Sequence, residues 1–200
     1  MSLKEAKENF ILDTASKLFL KDSIEGITIK DIALSAGVGE ATIYRMFGKK
    51  EKIVTLVAIR IQNEVFDKYF NLPEGLNGYQ MIKEFYSIFL KIYKDNVDYF
   101  KFINEFDNFI IKSDYDELTD YEANMTLYLD QFRQAYFKGL DDNSVRPIEN
   151  LELFYLTTTH SLLNLCKKLA AGSILSQDEK YNNLNEITTL INIIMFNLKH

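Results

Sequence analysis

Apolar residues at three- and four-residue spacing, in runs broken only at widely separated glycines and prolines, are what most constrains how this chain can fold. Such spacing places the apolar side chains on one stripe of a helix. Between Lys4 and Lys21 the stripe is Ile11, Ala15, Leu18 and Phe19, and DSIEG ends it. Between Lys50 and Phe70 it is Ile53, Val57, Ile61, Val65 and Tyr69. Two prolines and eight glycines in 200 residues are too few for a sandwich of many tight turns. The expected fold class is all-α, with about nine helices and no internal repeat.

Local signals set the expected boundaries. Thr28 with Asp31 three residues on has the spacing of a capping box and opens a short helix carrying Ile29, Ile32 and Ala33. Gly37 breaks it, a second short helix runs from Gly39 to Phe47, and Gly48 ends that one. After the Lys50 helix, NLPEGLNG at 71–78 is the best linker. Further helical patterns follow near 79–95, 97–112, 117–138, 147–171 and 178–198, with Pro147 in a first turn and Gly139 and Gly172 as C-terminal caps. The expected division is a small domain over 1–50 and a larger one over 51–200.

The single cysteine, Cys166, excludes an internal disulfide framework and a cysteine metal site. No segment has the ~18 consecutive apolar residues of a membrane helix, and the opening MSLKEAKENFILD lacks a basic region followed by an apolar one. The expectation is a cytoplasmic chain with no membrane partner. Net charge is -6, but residues 1–60 hold 10 basic and 8 acidic side chains and the remainder 13 and 21. A mildly basic head on an acidic body is what a chain needs when only one end meets a polyanion.

Residues 35–53, SAGVGEATIYRMFGKKEKI, crowd glycines, hydroxyls, a guanidinium and three lysines together. A short helix, a glycine turn and a second short helix make a helix-turn-helix. Ile32 and Ile43 fill its small core, leaving Glu40, Thr42, Tyr44 and Arg45 polar or aromatic on the second helix. Hydroxyls and guanidinium groups bond phosphate oxygens, and the start of a recognition helix faces base edges. Lys49 and Lys50 would add cations at the next helix start, where backbone N–H groups already favour phosphate. Glu40 can accept from a cytosine amino group, or can simply favour a helix N-terminus.

ITIKDIALSAGVGEATIYRMFGKKEKI resembles the DNA-binding signature of the TetR family of transcriptional regulators, at Thr28, Ile32-Ala33, Ala36-Gly37-Val38, Thr42-Ile43-Tyr44, Phe47 and Lys50. The resemblance covers residues 4–60 and extends beyond them only as length and helical layout. It implies an N-terminal three-helix DNA-binding domain, a long fourth helix, a helical ligand-binding and dimerisation domain, and release of DNA on ligand binding. It also implies phosphate contacts at Thr42 and Tyr44 and a backbone contact at Lys50. Gly39 and Glu40 depart from the family, where Ser and then a basic or small residue are common.

In the body, Leu162, Leu165 and Leu169 form one seam and Ile187, Ile191, Ile194 and Leu198 another, suited either to the chain's own core or to a four-helix dimer interface. The resemblance favours the homodimer. Dense aromatic residues are mostly core but can frame a pocket for an apolar or flat effector. The candidates are Tyr86, Phe89, Phe102, Phe106, Tyr128, Phe132 and Tyr155, with Thr159 and His160 as polar contacts. No cofactor or metal is expected, because two histidines and one cysteine supply no ligand motif. Two other classes compete with this reading: a small-molecule enzyme, and a protein-interaction module with a vestigial helix-turn-helix.

Overall fold

The computed structural model describes residues 2–172 and 181–199, and the described residues form nine α-helices and no strand. They are α1 Leu3–Lys21, α2 Ile29–Ser35, α3 Glu40–Phe47, α4 Lys50–Tyr69, α5 Gly78–Asp95, α6 Val97–Ser113, α7 Thr119–Asp141, α8 Leu151–Ala171 and α9 Asn183–Phe196. The expected helix over 178–198 thus begins at Asn183, and residues 178–180 of that expectation lie outside the described residues.

The helix starts follow from short polar side chains. Thr28 caps α2 in a reciprocal box with Asp31, and Asn77 with Gln80 does the same for α5. Ser2 with Glu5 makes a third box that opens α1 earlier than the apolar stripe indicates. Two boundary expectations fail. Pro147 lies ahead of α8, which begins at Leu151 because Asn150 caps it by accepting from the Leu153 amide. Gly139 does not end α7, which continues to Asp141. Its place in the helix is fixed by close approach, since a Cβ built on Gly78 would stand 2.0 Å from the Gly139 nitrogen.

The contacts divide the chain into two units. Unit 1 is Met1–Glu64 with Phe102–Asn124, and unit 2 is Val65–Lys101 with Met125–His200. In unit 1, Ile11, Ala15 and Phe19 of α1, Ile32 of α2, Ile43 and Phe47 of α3, and Ile53 and Val57 of α4 are buried. Full burial of each large aliphatic side chain is worth about 1.5–3 kcal/mol, so the two short helices are held by packing rather than by their own propensity. In unit 2, α5 packs on α8 and α9 around Phe85, Tyr86, Phe132, Leu162, Ile187 and Leu198. Residues 71–77 make the turn into α5, with Gly75 at φ 79°.

Cys166 is fully buried in unit 2, and burial pushes its thiol up to about 12. At a pH near the reference thiol value of ~8.5, the folded chain therefore keeps this proton while an unfolded chain is half thiolate. Iodoacetamide at that pH should leave native protein unlabelled and label denatured protein once, as read by intact mass. Native labelling at the denatured rate would contradict this burial.

Candidate nucleic-acid interface

The candidate interface is built on α2, α3 and the start of α4. Ala36 closes α2, Gly37 turns the chain at φ 63°, and the Val38 amide donates back to the Ala33 carbonyl at 3.0 Å. A residue with a Cβ pays about 1–2 kcal/mol for that left-handed backbone. Gly39 then caps α3 without a side-chain hydrogen bond. Ile43 and Phe47 turn into the core of unit 1. Their burial fixes what α3 presents outward: Glu40, Ala41, Tyr44 and Arg45 are exposed, and Thr42 is half-buried at the edge of that face. Tyr44 is 52% exposed, a large ring held in solvent one turn along from Glu40. Thr28 is exposed, but its hydroxyl donates to Asp31 at 2.6 Å and accepts from the Asp31 amide, so it works as the cap of α2.

The lysines are placed differently from the simple picture of free cations. Lys50 is half-buried, and its ammonium donates to the Ile24 carbonyl at 2.5 Å and lies 5.1 Å from the Phe109 ring centroid. Burial lowers its pKa from the ordinary lysine value. Lys49 stands 3.4 Å from Glu117 and 4.5 Å from the centre of the Tyr115 ring. Lys52, not among the expected contacts, is 3.9 Å from Asp120. The turn between α1 and α2 is fastened from the other side as well: the Ile24 amide donates to Glu105 at 2.8 Å, and Lys112 pairs with Glu25 at 2.8 Å. These partners come from α6 and the segment after it, far along the chain. No local pattern could have announced them.

The candidate effector contacts separate into two groups. Phe102 and Phe106 stack on each other in unit 1, and Phe106 lies 4.9 Å from the Tyr121 ring. Tyr121 accepts a hydrogen bond from Gln62, which in turn accepts from Asn124. Burial pushes the Tyr121 hydroxyl up to about 12. Tyr86, Tyr128, Phe132, Tyr155, Thr159 and His160 belong to unit 2, as does the half-buried Phe89. Phe132 is fully buried, between 5.3 and 6.4 Å from the centroids of Phe85, Tyr86, Phe154 and Tyr155. Tyr128 packs edge-on against Phe66 and Phe70. Tyr86 shares a 2.7 Å hydrogen bond with Thr158, which is not among the candidate effector contacts. The Thr159 hydroxyl donates to the Tyr155 carbonyl of its own helix, and His160 is exposed to solvent.

The seams assigned to a dimer lie inward. Leu162, Leu169, Ile187, Ile191, Ile194 and Leu198 are all buried within their own unit. They take the core alternative that the sequence left open, because α8 and α9 turn these faces towards α5 and each other. Leu165 is half-buried beside an open groove of about 370 Å³ shared with Leu190 and Ile193. The opposite faces carry the exposed apolar side chains: Leu153 and Leu156 on α8, and Ile193 and Phe196 on α9.

Residues 11–57 match the model of the bacterial regulatory proteins of the tetR family. Over 161 residues the chain is 28% identical to an HTH-type transcriptional regulator of Staphylococcus aureus (strain USA300), spanning 78% of this chain and 82% of that protein. Its fold is shared by the TetR family transcriptional regulator PfmR of Thermus thermophilus, with a TM-score of 0.59, 19% identity and coverage of 95% and 99% of the two chains. It is shared also by the fatty acid degradation regulator FadR of Bacillus halodurans, with a TM-score of 0.65, 15% identity and coverage of 94% of each. These proteins are regulators by name, not enzymes. No helix among the described residues is long and apolar enough to cross a membrane.

Proposed function

We propose that this chain is a TetR-family transcriptional regulator with an N-terminal helix-turn-helix, a cytoplasmic repressor that binds a palindromic operator as a homodimer. A small, largely apolar or aromatic effector releases it. The observation that carries the DNA reading is the outward face of α3, where Glu40, Ala41, Tyr44 and Arg45 stand together in solvent over the buried Ile43 and Phe47. Tyr44 and Thr42 position the helix on phosphates, and Arg45 and Glu40 face base edges. The homodimer uses Leu153, Leu156, Ile193 and Phe196, since four large apolar side chains exposed on two adjacent helices are a surface that association covers. Two-fold symmetry then presents two α3 helices to half-sites one DNA turn (~34–36 Å) apart.

Selection of bound sequences from a random duplex pool tests this directly. The expected product is a palindromic site. Arg45→Ala should weaken that site by about 1–3 kcal/mol and relax the preference at one position per half-site. Glu40→Ala should change the preferred base and leave binding to mixed-sequence DNA unweakened. A pool with no enrichment would refute the sequence-specific reading, and enrichment of an asymmetric site would refute the dimeric one.

A further inference from the structure

Each lysine at the start of α4 already has a partner within unit 1, and two of those partners are carboxylates from one short segment. Residues 114–120 read DYDELTD and span the connection from α6 into the first turn of α7, with four carboxylates in seven residues. Glu117 holds Lys49 and Asp120 holds Lys52. We propose that this acidic segment competes with DNA phosphate for Lys49 and Lys52, so that it acts as an internal brake on DNA binding. The inference rests on the DNA-binding reading above and concerns the regulation of that same site.

Lys49 lies two residues past the end of α3, after the single turn residue Gly48, so a cation there is next to the backbone that α3 approaches. Its ammonium cannot satisfy a phosphate and Glu117 at once. Docking must either break the 3.4 Å pair or hold a carboxylate beside the phosphate, and both weaken binding. The competition is reversible because the pair is exposed, with half of the Lys49 side chain and 60% of the Glu117 side chain open to solvent. Exposed pairs contribute little to folding, which leaves them free to exchange partners. The Tyr115 ring under the ammonium adds a second attraction that DNA must overcome. Lys50 is different: its partners are backbone carbonyls of the turn between α1 and α2, so it holds the head together and is not part of the exchange.

Glu117 is the better residue to change, since Asp120 also sits favourably in the first turn of α7. Gln at 117 keeps an acceptor for the Tyr115 hydroxyl, which donates to Glu117 at 3.4 Å. The experiment is a double-mutant cycle on the full chain: wild type, Glu117→Gln, Lys49→Met and the pair, each titrated against a mixed-sequence duplex over a salt series. Glu117→Gln should tighten binding by about 2- to 5-fold at low salt, and this increase should vanish in the Lys49→Met background. An increase of equal size in both backgrounds would overturn the proposal, because it would come from net charge alone. No increase at any salt would overturn it too. If Lys49→Met binds as tightly as wild type, Lys49 touches no phosphate and the brake falls while the regulator reading stands. If wild type binds no duplex, the regulator reading itself fails.

Discussion

Gly78→Ala should lower the thermal midpoint by about 6–12 °C, the counterpart of roughly 3 kcal/mol of overpacking in a chain of this length. At an ordinary helical position the same change has the opposite sign, because Ala is the better helix former by about 0.8–1.0 kcal/mol. The difference lies in what the new methyl would meet. It would stand 2.0 Å from the Gly139 nitrogen, 2.1 Å from its Cα and 2.7 Å from the Ala135 carbonyl oxygen. All three are backbone atoms of α7, which no rotamer change can move aside. The Gly78 amide also donates to Asp142 at 2.8 Å and the Tyr79 amide to Ser144 at 2.9 Å, so separating the helices breaks the bonds that hold the loop after α7. Thermal unfolding followed by circular dichroism measures the effect. A midpoint equal to or above that of wild type would show that α5 and α7 do not touch here.

Ile193→Asp combined with Phe196→Asp should give a folded monomer whose affinity for a palindromic duplex is about 10²- to 10⁴-fold below that of wild type, the range lost when two linked sites become one. The side chains are 57% and 82% exposed in the single chain, so placing carboxylates there costs little within the subunit. In an association surface they would meet their symmetry mates across the two-fold axis, with repulsion added to lost apolar burial. Analytical ultracentrifugation reads the mass, and circular dichroism confirms that the helices remain. A variant that stays dimeric would move the interface off this face. The same change at Ile191 or Leu198 is not a test of association, because both are buried and either carboxylate would unfold unit 2.

Much of the helix-turn-helix head was legible in the sequence because its determinants are local. Thr28 and Asp31 make their box across three residues, Gly37 and Gly48 adopt the positive φ that their turns require, and Ile43 and Phe47 face inward at helical spacing. The helix succession was legible for the same reason. Glycine and proline were the ambiguous signs. Gly139 reads equally well as a cap or as a point of close approach, and only the presence of Gly78 opposite decides between them. The two long C-terminal helices defeated face assignment because they are apolar on more than one side: α8 carries Leu153 and Leu156 outward and Leu162 and Leu169 inward. Ring counts could not separate core from pocket, and Phe102 and Phe106 belong to a different unit from Tyr86 and Phe132. The clasp on Ile24 was beyond reach, because Glu105 lies 81 residues away.

The ring cluster around Phe132 has a kinetic consequence. Phe85 packs against Tyr86 and Tyr155, and these three rings and Phe154 all pack against Phe132. An effector of the proposed kind, if it entered among them, would have to wait for a ring to swing out before taking its place. Its uptake would then be limited by that rearrangement, so the observed rate would level off with concentration instead of rising in proportion to it. If the proposed effector binds there, the response would run on the timescale of the protein's own interior, and would last for as long as the displaced ring is kept from returning.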